Sequence, residues 1–412
     1  MNEKLTVPFS PPDIDEDDIA GVVEVLRSGW ITTGPKVKLF ESRLAEYCQT
    51  KRGVCLSSAT AGLELALRIF GIGKGDEVIT TPYTFAATAN VILHTGAKPV
   101  FVDVSDNCNI DPEKIGQAIT SRTKAILSVD FAGMPCDYDL IKGIIKDNRP
   151  KFKPSKNIYQ KKIGQILFIS DAAHSLGGFY KSNRIGQQAD ISVFSFHAVK
   201  NLTTAEGGGC VFNDIEDITA DEIYREYMLY SLHGQSKDAM AKYKSGSWKY
   251  DILTDGYKYN MTDIMGSLGL TQLSRYDEII NRRRDVCGVY NSLLGNDLRF
   301  TKPIFKNATI ESSFMESSYH LYPLRINDKD GIPIAEKDRD RLISVLASEG
   351  ISTNVHFIPL PLLSVYRKLG YKMDDFKNAY LLYSNELSLP LFSRISNQQI
   401  ERVIEVLKKT TS

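Results

Sequence analysis

The chain has 412 residues, enough for two domains and a large buried core. Hydrophobic residues make up 42% and charged residues 24%, the balance of an ordinary soluble protein. Lys plus Arg and Asp plus Glu are 50 each, so the net charge is zero and gives no ground for a nucleic-acid or anionic-membrane partner. In chain order, Ile14 to Leu26 reads as an amphipathic helix whose early acids complement the helix dipole, and Ser28-Gly29-Trp30 breaks it. Strands and helices then alternate: Val54–Leu56, Thr60–Phe70, Glu77–Thr80, Thr84–His94, Pro99–Val102, Pro112–Thr120 and Ala125–Val129. This rhythm predicts an α/β sheet covered on both faces. The lysine-rich stretch Lys151 to Lys162 reads as a solvated surface insertion. Further on come strands ending near Asp171 and Phe196, a third at Cys210–Phe212, and one long helix over Met265–Arg284. After about Tyr290 the rhythm changes, with a strand at Tyr319–Ile326 and helices at Ala335–Glu349 and Asn397–Lys409. The expected division is a large domain over 1–285 and a small C-terminal α/β domain over 286–412.

Cys48, Cys55, Cys108, Cys136, Cys210 and Cys287 form no C-x-x-C pair, which fits free thiols in a reducing compartment. The first residues lack a signal-peptide core and no apolar run approaches the ~20 residues of a membrane span, so the expected location is the cytoplasm, with no membrane partner. His94, His197, His233, His320 and His356 show no metal-ligand spacing, so no metal is expected.

Three segments carry chemistry. Leu56-Ser-Ser-Ala-Thr-Ala-Gly62 joins a strand to a helix start, where hydroxyls and free amides make an anion site, although Ser58 or Thr60 could equally be a plain N-cap. Phe168-Ile-Ser-Asp-Ala-Ala-His174 ends an apolar run at Asp171. A carboxylate there can hold a pyridine nitrogen protonated, though strand-end aspartates are also common caps. Ser195-Phe-His-Ala-Val-Lys200 sets a lysine after an apolar strand and before Asn-Leu-Thr-Thr and the Gly207–Gly209 triplet. A buried lysine can lose its proton and attack a carbonyl. An amine for a Schiff base and a carboxylate for a ring nitrogen are what pyridoxal 5'-phosphate (PLP) requires.

These segments, with Ser-Gly-Trp-Ile-Thr-Thr-Gly-Pro35, Gly-Asp-Glu-Val-Ile-Thr80, Gly-Tyr-Lys-Tyr-Asn260 and Ser-Leu-Pro-Leu391 in the same order, resemble the sugar aminotransferases of the DegT/DnrJ/EryC1/StrS family over nearly the whole chain. The resemblance implies a fold-type I PLP-dependent transferase with a mostly parallel mixed sheet. It implies that Lys200 binds PLP covalently and shuttles a proton, that Asp171 pairs with the pyridine nitrogen, that His174 lies beside the ring and that Phe85 stacks on it. Thr60, Ala61 and Ser195 would hold the phosphate, and Asn260 would reach that phosphate from the other subunit of a homodimer. More weakly, Trp30, Thr32, His320 and His356 would lie toward the substrate, as would residues 233–243. His197 receives no role. The implied partners are an amino-acid donor, glutamate, and a nucleotide-sugar, with the motif wording closest to members acting on UDP-linked 4-keto-sugars in surface polysaccharide or lipopolysaccharide synthesis. Two departures from the family pattern are Ser170, where an acidic residue often precedes the aspartate, and the long basic insertion. The alternatives are a PLP-dependent dehydratase or lyase, in which some relatives carry histidine at the lysine position, and a PLP-binding regulatory protein without turnover.

Overall fold

The computed structural model describes residues 5–236, 248–307 and 314–411. Its centre is a seven-stranded sheet. In chain order the strands are β1 (Arg52–Leu56), β2 (Glu77–Thr80), β3 (Lys98–Phe101), β4 (Thr123–Val129), β5 (Leu167–Asp171), β6 (Ile191–Ser195) and β7 (Gly208–Phe212). Their order across the sheet is β1-β7-β6-β5-β4-β2-β3. Only β7 runs against its neighbours, pairing antiparallel with β1 and β6, while the pairs among β2, β3, β4, β5 and β6 are parallel. The fold is therefore the expected α/β type with a mostly parallel mixed sheet.

Strands β4 and β5 are buried at every position, as strands covered on both faces must be. Alternation then divides their side chains, and those of β6, between two cores. Ile126, Phe168 and Phe194 belong to one, and Leu127, Ile169 and Val193 to the other. The helices that pack on the sheet include α2 (Pro35–Tyr47), α3 (Ala59–Ile69) and α4 (Ala86–Thr95), whereas α1 (Glu16–Ser28) packs on the helix Asp263–Ser274. Helix α1 starts on a capping box between Asp15 and Asp18.

The expected single helix over Met265–Arg284 is two, α5 (Asp263–Ser274) and α6 (Tyr276–Leu294), hinged at Arg275 with φ −114° and ψ 14°. The Arg275 guanidinium reaches Asp13, Asp15 and Asp18, and the turn aims it at these acids of the α1 start. The expected domain division at 285/286 falls inside α6. Beyond it, three strands pair antiparallel in the order β8 (Phe300–Thr301), β9 (Tyr322–Ile326), β10 (Glu386–Leu389). Helices α7 (Glu336–Ser348) and α8 (Asn397–Thr410) belong to the same part of the chain.

The basic insertion is not simply solvated. Phe152 and Gln160 are buried, and Gln160 donates to the carbonyl of Phe70 at 2.8 Å. Lys124 Nζ bonds the carbonyl of Lys153, and Lys162 pairs with Glu222. Lys161 and Lys162 lie on a short turn of helix, Ile158–Ile163, whose N-cap Asn157 donates to the carbonyl of Ile69 at the end of α3 at 3.1 Å.

The earliest described residues lie against late ones. Val7 bridges Ile351 in parallel, with bonds to Gly350 and Ser352 of 2.9 Å, and the carbonyl of Phe9 accepts from Leu391 N at 3.1 Å.

Candidate active site

The carboxyl ends of β1, β5 and β6 open on one cavity of about 640 Å³, where ligands of such sheets bind. At the end of β1, Ser58 caps α3 in extended conformation, and its Oγ accepts from Ala61 N at 3.1 Å. The first-turn amides of Ala59 and Thr60 have no intrahelical acceptor, and both residues line the cavity. Their charge complement is an anion. Gly208 of β7 runs directly beneath: a Cβ there would stand 2.3 Å from Ala59 N and from the Ser58 carbonyl carbon. The close approach explains one glycine of the triplet.

Asp171 ends β5 and is 7% exposed. Thr88, one turn into α4, donates to its Oδ2 at 2.8 Å and is itself 2.8 Å from Thr84 Oγ1. Oδ1 has only the longer bond from Ala173 N, 3.3 Å, and is the oxygen left for a ligand. Burial raises the Asp171 pKa, against the Thr88 and Ala173 hydrogen bonds and the Lys200 charge, which lower it.

Ser195 ends β6 and lines the cavity, as does Lys200. The loop to β7 is held by Phe196 N to Gly207 O, Thr204 N to Phe196 O and Lys200 N to His197 O, each 2.9 Å. Burial brings the Lys200 pKa down to about 8, although Asp171 pulls it the other way.

The cavity walls also carry Phe85, His174, His320 and His356. Phe85 is 64% exposed at the N-cap of α4, so an aromatic face stands open to the cavity. The His174 and His320 rings lie 4.4 Å apart between centroids, and Phe357 stacks on His174 at 5.9 Å. Burial holds both histidines well below their usual pKa, so both are neutral. Asn201 fixes His320 through Nδ1 at 2.9 Å. His356 bonds Ser388 Oγ through Nδ1 at 2.8 Å, and burial pushes its pKa down to about 3.

Four expected residues lie outside this cavity. Ala61 is buried with its amide occupied by Ser58. Asn260 bonds Thr33 Oγ1 at 2.7 Å and Lys258 Nζ at 2.6 Å. Trp30 Nε1 donates to Thr33 O at 3.2 Å, and Thr32 is exposed with its carbonyl on Asp263 N. These last three form one loop cluster at the start of α5. Of residues 233–243, those from 237 on lie outside the described residues. Sequence reasoning missed Thr84, just before the N-cap of α4, and Thr88, in its first turn, whose spacing of four was the available signal. It also missed Phe9, which stacks on His356 at 5.7 Å and lines the cavity.

A ring with a basic nitrogen and a phosphate fits what is present. Open amides begin α3, Asp171 offers Oδ1, and His174 Nδ1 is buried without a hydrogen-bond partner. An amine that gives up its proton near pH 8 completes the requirements of the PLP-dependent transferases. Comparison with known proteins gives the family. The profile of the DegT/DnrJ/EryC1/StrS aminotransferase family matches residues 12–408, and the chain belongs to that family. It is a PLP-dependent aminotransferase. It is similar to Spr1654 of Streptococcus pneumoniae, assigned as a sugar aminotransferase and solved in a pyridoxamine phosphate form (45% identity, 98% of this chain and 99% of that one, TM-score 0.92). It is similar to the spore coat polysaccharide biosynthesis protein SpsC of Bacillus subtilis (40% identity, 98% of this chain and 96% of that one). Helicobacter pylori PseC, an aminotransferase of pseudoaminic acid biosynthesis, shares 29% identity over 99% of both chains, with a TM-score of 0.85.

Proposed function

We propose that the enzyme moves an amino group from glutamate to a nucleotide-linked keto-sugar, a UDP-linked 4-keto-sugar, in surface polysaccharide synthesis. It works as a cytoplasmic homodimer. The observation that carries this reading is the single cavity in which Lys200 and Asp171 meet neutral His320 and His356 from the C-terminal part of the chain. The first pair serves the cofactor, and the second gives a wall of uncharged hydrogen-bonding groups suited to sugar hydroxyls. The sugar-linked names of Spr1654, SpsC and PseC support the acceptor class.

Bound PLP would supply the electron sink. Asp171 Oδ1 would hold the ring nitrogen protonated, with Thr88 fixing the other oxygen. The amides of Ala59 and Thr60, with Ser195, would bind the phosphate, and the open face of Phe85 would orient the ring. Lys200 Nζ, as the free amine, would be the base that takes a proton from the substrate carbon bearing nitrogen and the acid that gives it back from the same side, to the cofactor carbon that receives it, which is general acid–base catalysis. A homodimer is supported by Asn260, which lies outside its own chain's cavity, and by exposed Trp248, Ile252 and Leu253 in the preceding stretch.

The test is a panel of UDP-, dTDP- and GDP-linked 4-keto-sugars with glutamate as donor, read by amino-sugar product. A strong preference for UDP is expected. Equal rates across the panel would remove the UDP assignment. Ammonia release without amine incorporation would point to the dehydratase or lyase chemistry.

A further inference from the structure

Behind the cavity wall, His356 leads into a buried pair of groups that the transamination does not use. Glu386 and Ser388 stand at i and i+2 on β10, so both point to one face of the strand. Glu386 is 1% exposed and Ser388 is fully buried. Ser388 Oγ lies 2.8 Å from His356 Nδ1 and 2.5 Å from Glu386 Oε1. Glu386 Oε2 accepts from the His356 backbone N–H at 2.9 Å, and Asn354 and Ser388 exchange backbone bonds of 3.2 and 2.8 Å. The imidazole is thereby held at both its backbone and its ring. Nε2 has no hydrogen-bond partner among the described residues, and His356 lines the cavity.

We propose that Glu386 and Ser388 are positioning residues that fix which ring nitrogen of His356 carries the proton, and so decide whether His356 offers the amino acceptor a hydrogen-bond donor or an acceptor. The chain has two self-consistent settings. With a protonated Glu386, the carboxyl donates to Ser388 Oγ, the hydroxyl donates to Nδ1, and the imidazole proton sits on Nε2. With an ionised Glu386, the hydroxyl donates to the carboxylate, Nδ1–H donates to the hydroxyl, and Nε2 is bare. The change releases one proton to water and leaves the ring neutral throughout. A hydroxyl can serve either setting because it is donor and acceptor at once.

The surroundings choose the first setting at neutral pH. Burial brings the Glu386 pKa up to about 8, against the hydrogen bonds from Ser388 and His356 N and the charge of Arg339. Arg339, on α7, donates to the Tyr383 and Glu386 carbonyls at 2.9 and 2.8 Å and pairs with Asp340 at 2.7 Å, so it makes no direct bond to the Glu386 carboxyl. Arg325, opposite on β9, and Tyr83 and Cys108 are further titratable groups near the carboxyl among the described residues. On the cavity side, burial first and the charge of Lys200 second keep His356 from taking a second proton, and neutral His174 and His320 are further titratable neighbours. At neutral pH, then, His356 presents Nε2–H, a donor suited to a keto or hydroxyl oxygen of the acceptor, and this use rests on the function proposed above. Above about pH 8 the donor becomes an acceptor at an unchanged position.

The experiment is ¹⁵N-histidine NMR of the PLP-loaded enzyme between pH 6 and 9.5, with His356 assigned by His356→Asn. The Nε2–H tautomer should dominate at pH 7 and give way to Nδ1–H with a midpoint near 8. Ser388→Ala should abolish the transition, and Glu386→Gln should leave one tautomer across the range. A wild-type tautomer ratio that does not change with pH, or a transition that survives Ser388→Ala, overturns the proposal without any reference to the sugar. A kinetic arm uses a UDP-linked 4-keto-6-deoxyhexose. Ser388→Ala should raise its KM about tenfold while leaving the glutamate half-reaction, followed by absorbance, at the wild-type rate. Wild-type turnover with no change of KM in Ser388→Ala removes the role in acceptor binding. Failure of wild-type enzyme to aminate the sugar, with an intact tautomer transition, condemns the substrate reading and leaves the relay standing.

Discussion

Lys200 must lose a proton before its amine can join a carbonyl, and the protein arranges this by burial. A solvated lysine holds its proton to about pH 10.5, whereas Lys200 gives it up at about 8. Because the neutral form is the nucleophile, the rate of PLP uptake by apo-enzyme should rise with pH and level off above about 8. Stopped-flow absorbance at the visible band of the bound cofactor checks this. A rate still climbing at pH 10 would show that burial does not govern the amine. Asp171 has the complementary problem, since burial raises its pKa and so opposes the charge the ring nitrogen requires. Thr88 works against that tendency by donating to Oδ2, and it leaves Oδ1 less engaged. The threonine is a small residue whose removal would act on the cofactor's electronics rather than on its contacts.

At the scale of elements, the decisive arrangement is β7 passing beneath the start of α3. Gly208→Ala would place a methyl group 2.3 Å from backbone atoms of Ser58 and Ala59, where no side chain can yield. We expect a loss of about 1–3 kcal/mol of stability, the usual cost of overpacking, together with weaker PLP binding, because the displaced atoms are those of the anion-binding turn. Thermal denaturation with and without PLP would separate the two effects, and a variant with unchanged melting and cofactor affinity would refute the account. Much of this level is legible in the sequence. The strands at Glu77–Thr80 and Ala125–Val129 are readable from their apolar residues, although the second begins two residues earlier, at Thr123, and Asp171 and Lys200 are readable because each follows such a run. The break at Arg275 is not, because the acids that turn it lie at Asp13, Asp15 and Asp18, more than two hundred positions away. The relay behind His356 is hidden for a related reason. The alternation of Glu386 and Ser388 is visible in the sequence, but a buried acid there reads as a polar residue on a solvent face until the fold brings His356 against it. The basic insertion misleads through composition: its lysines are countable, and the buried Gln160 that anchors it is one polar residue among many.

At the scale of the whole molecule, the proposed homodimer makes a prediction about division of labour. If Asn260 serves the cavity of the other subunit, Lys200→Ala and Asn260→Asp damage different sites of a mixed dimer. Lys200→Ala alone should be inactive, and Asn260→Asp alone should bind PLP poorly, because a carboxylate would face the phosphate. Co-expression should then restore up to about a quarter of wild-type activity, with half the dimers hybrid and one sound site in each. Activity assays on the co-purified mixture decide it. No recovery would mean that both residues serve one cavity, and full activity of Asn260→Asp alone would mean that Asn260 does not bear on the phosphate.

The strand-like start of the described chain has a consequence for how the enzyme comes into being. Val7 pairs with Ile351, Phe9 with Leu391, and the Phe9 ring forms part of the cavity wall against His356. A chain emerging from the ribosome makes Val7 and Phe9 first and their partners only after more than three hundred further residues. The central sheet, Lys200 and Asp171 can all be in place while that wall is still missing. The part of the cavity wall that Phe9 and His356 make can therefore close only after the strands that carry Lys200 and Asp171 have been made.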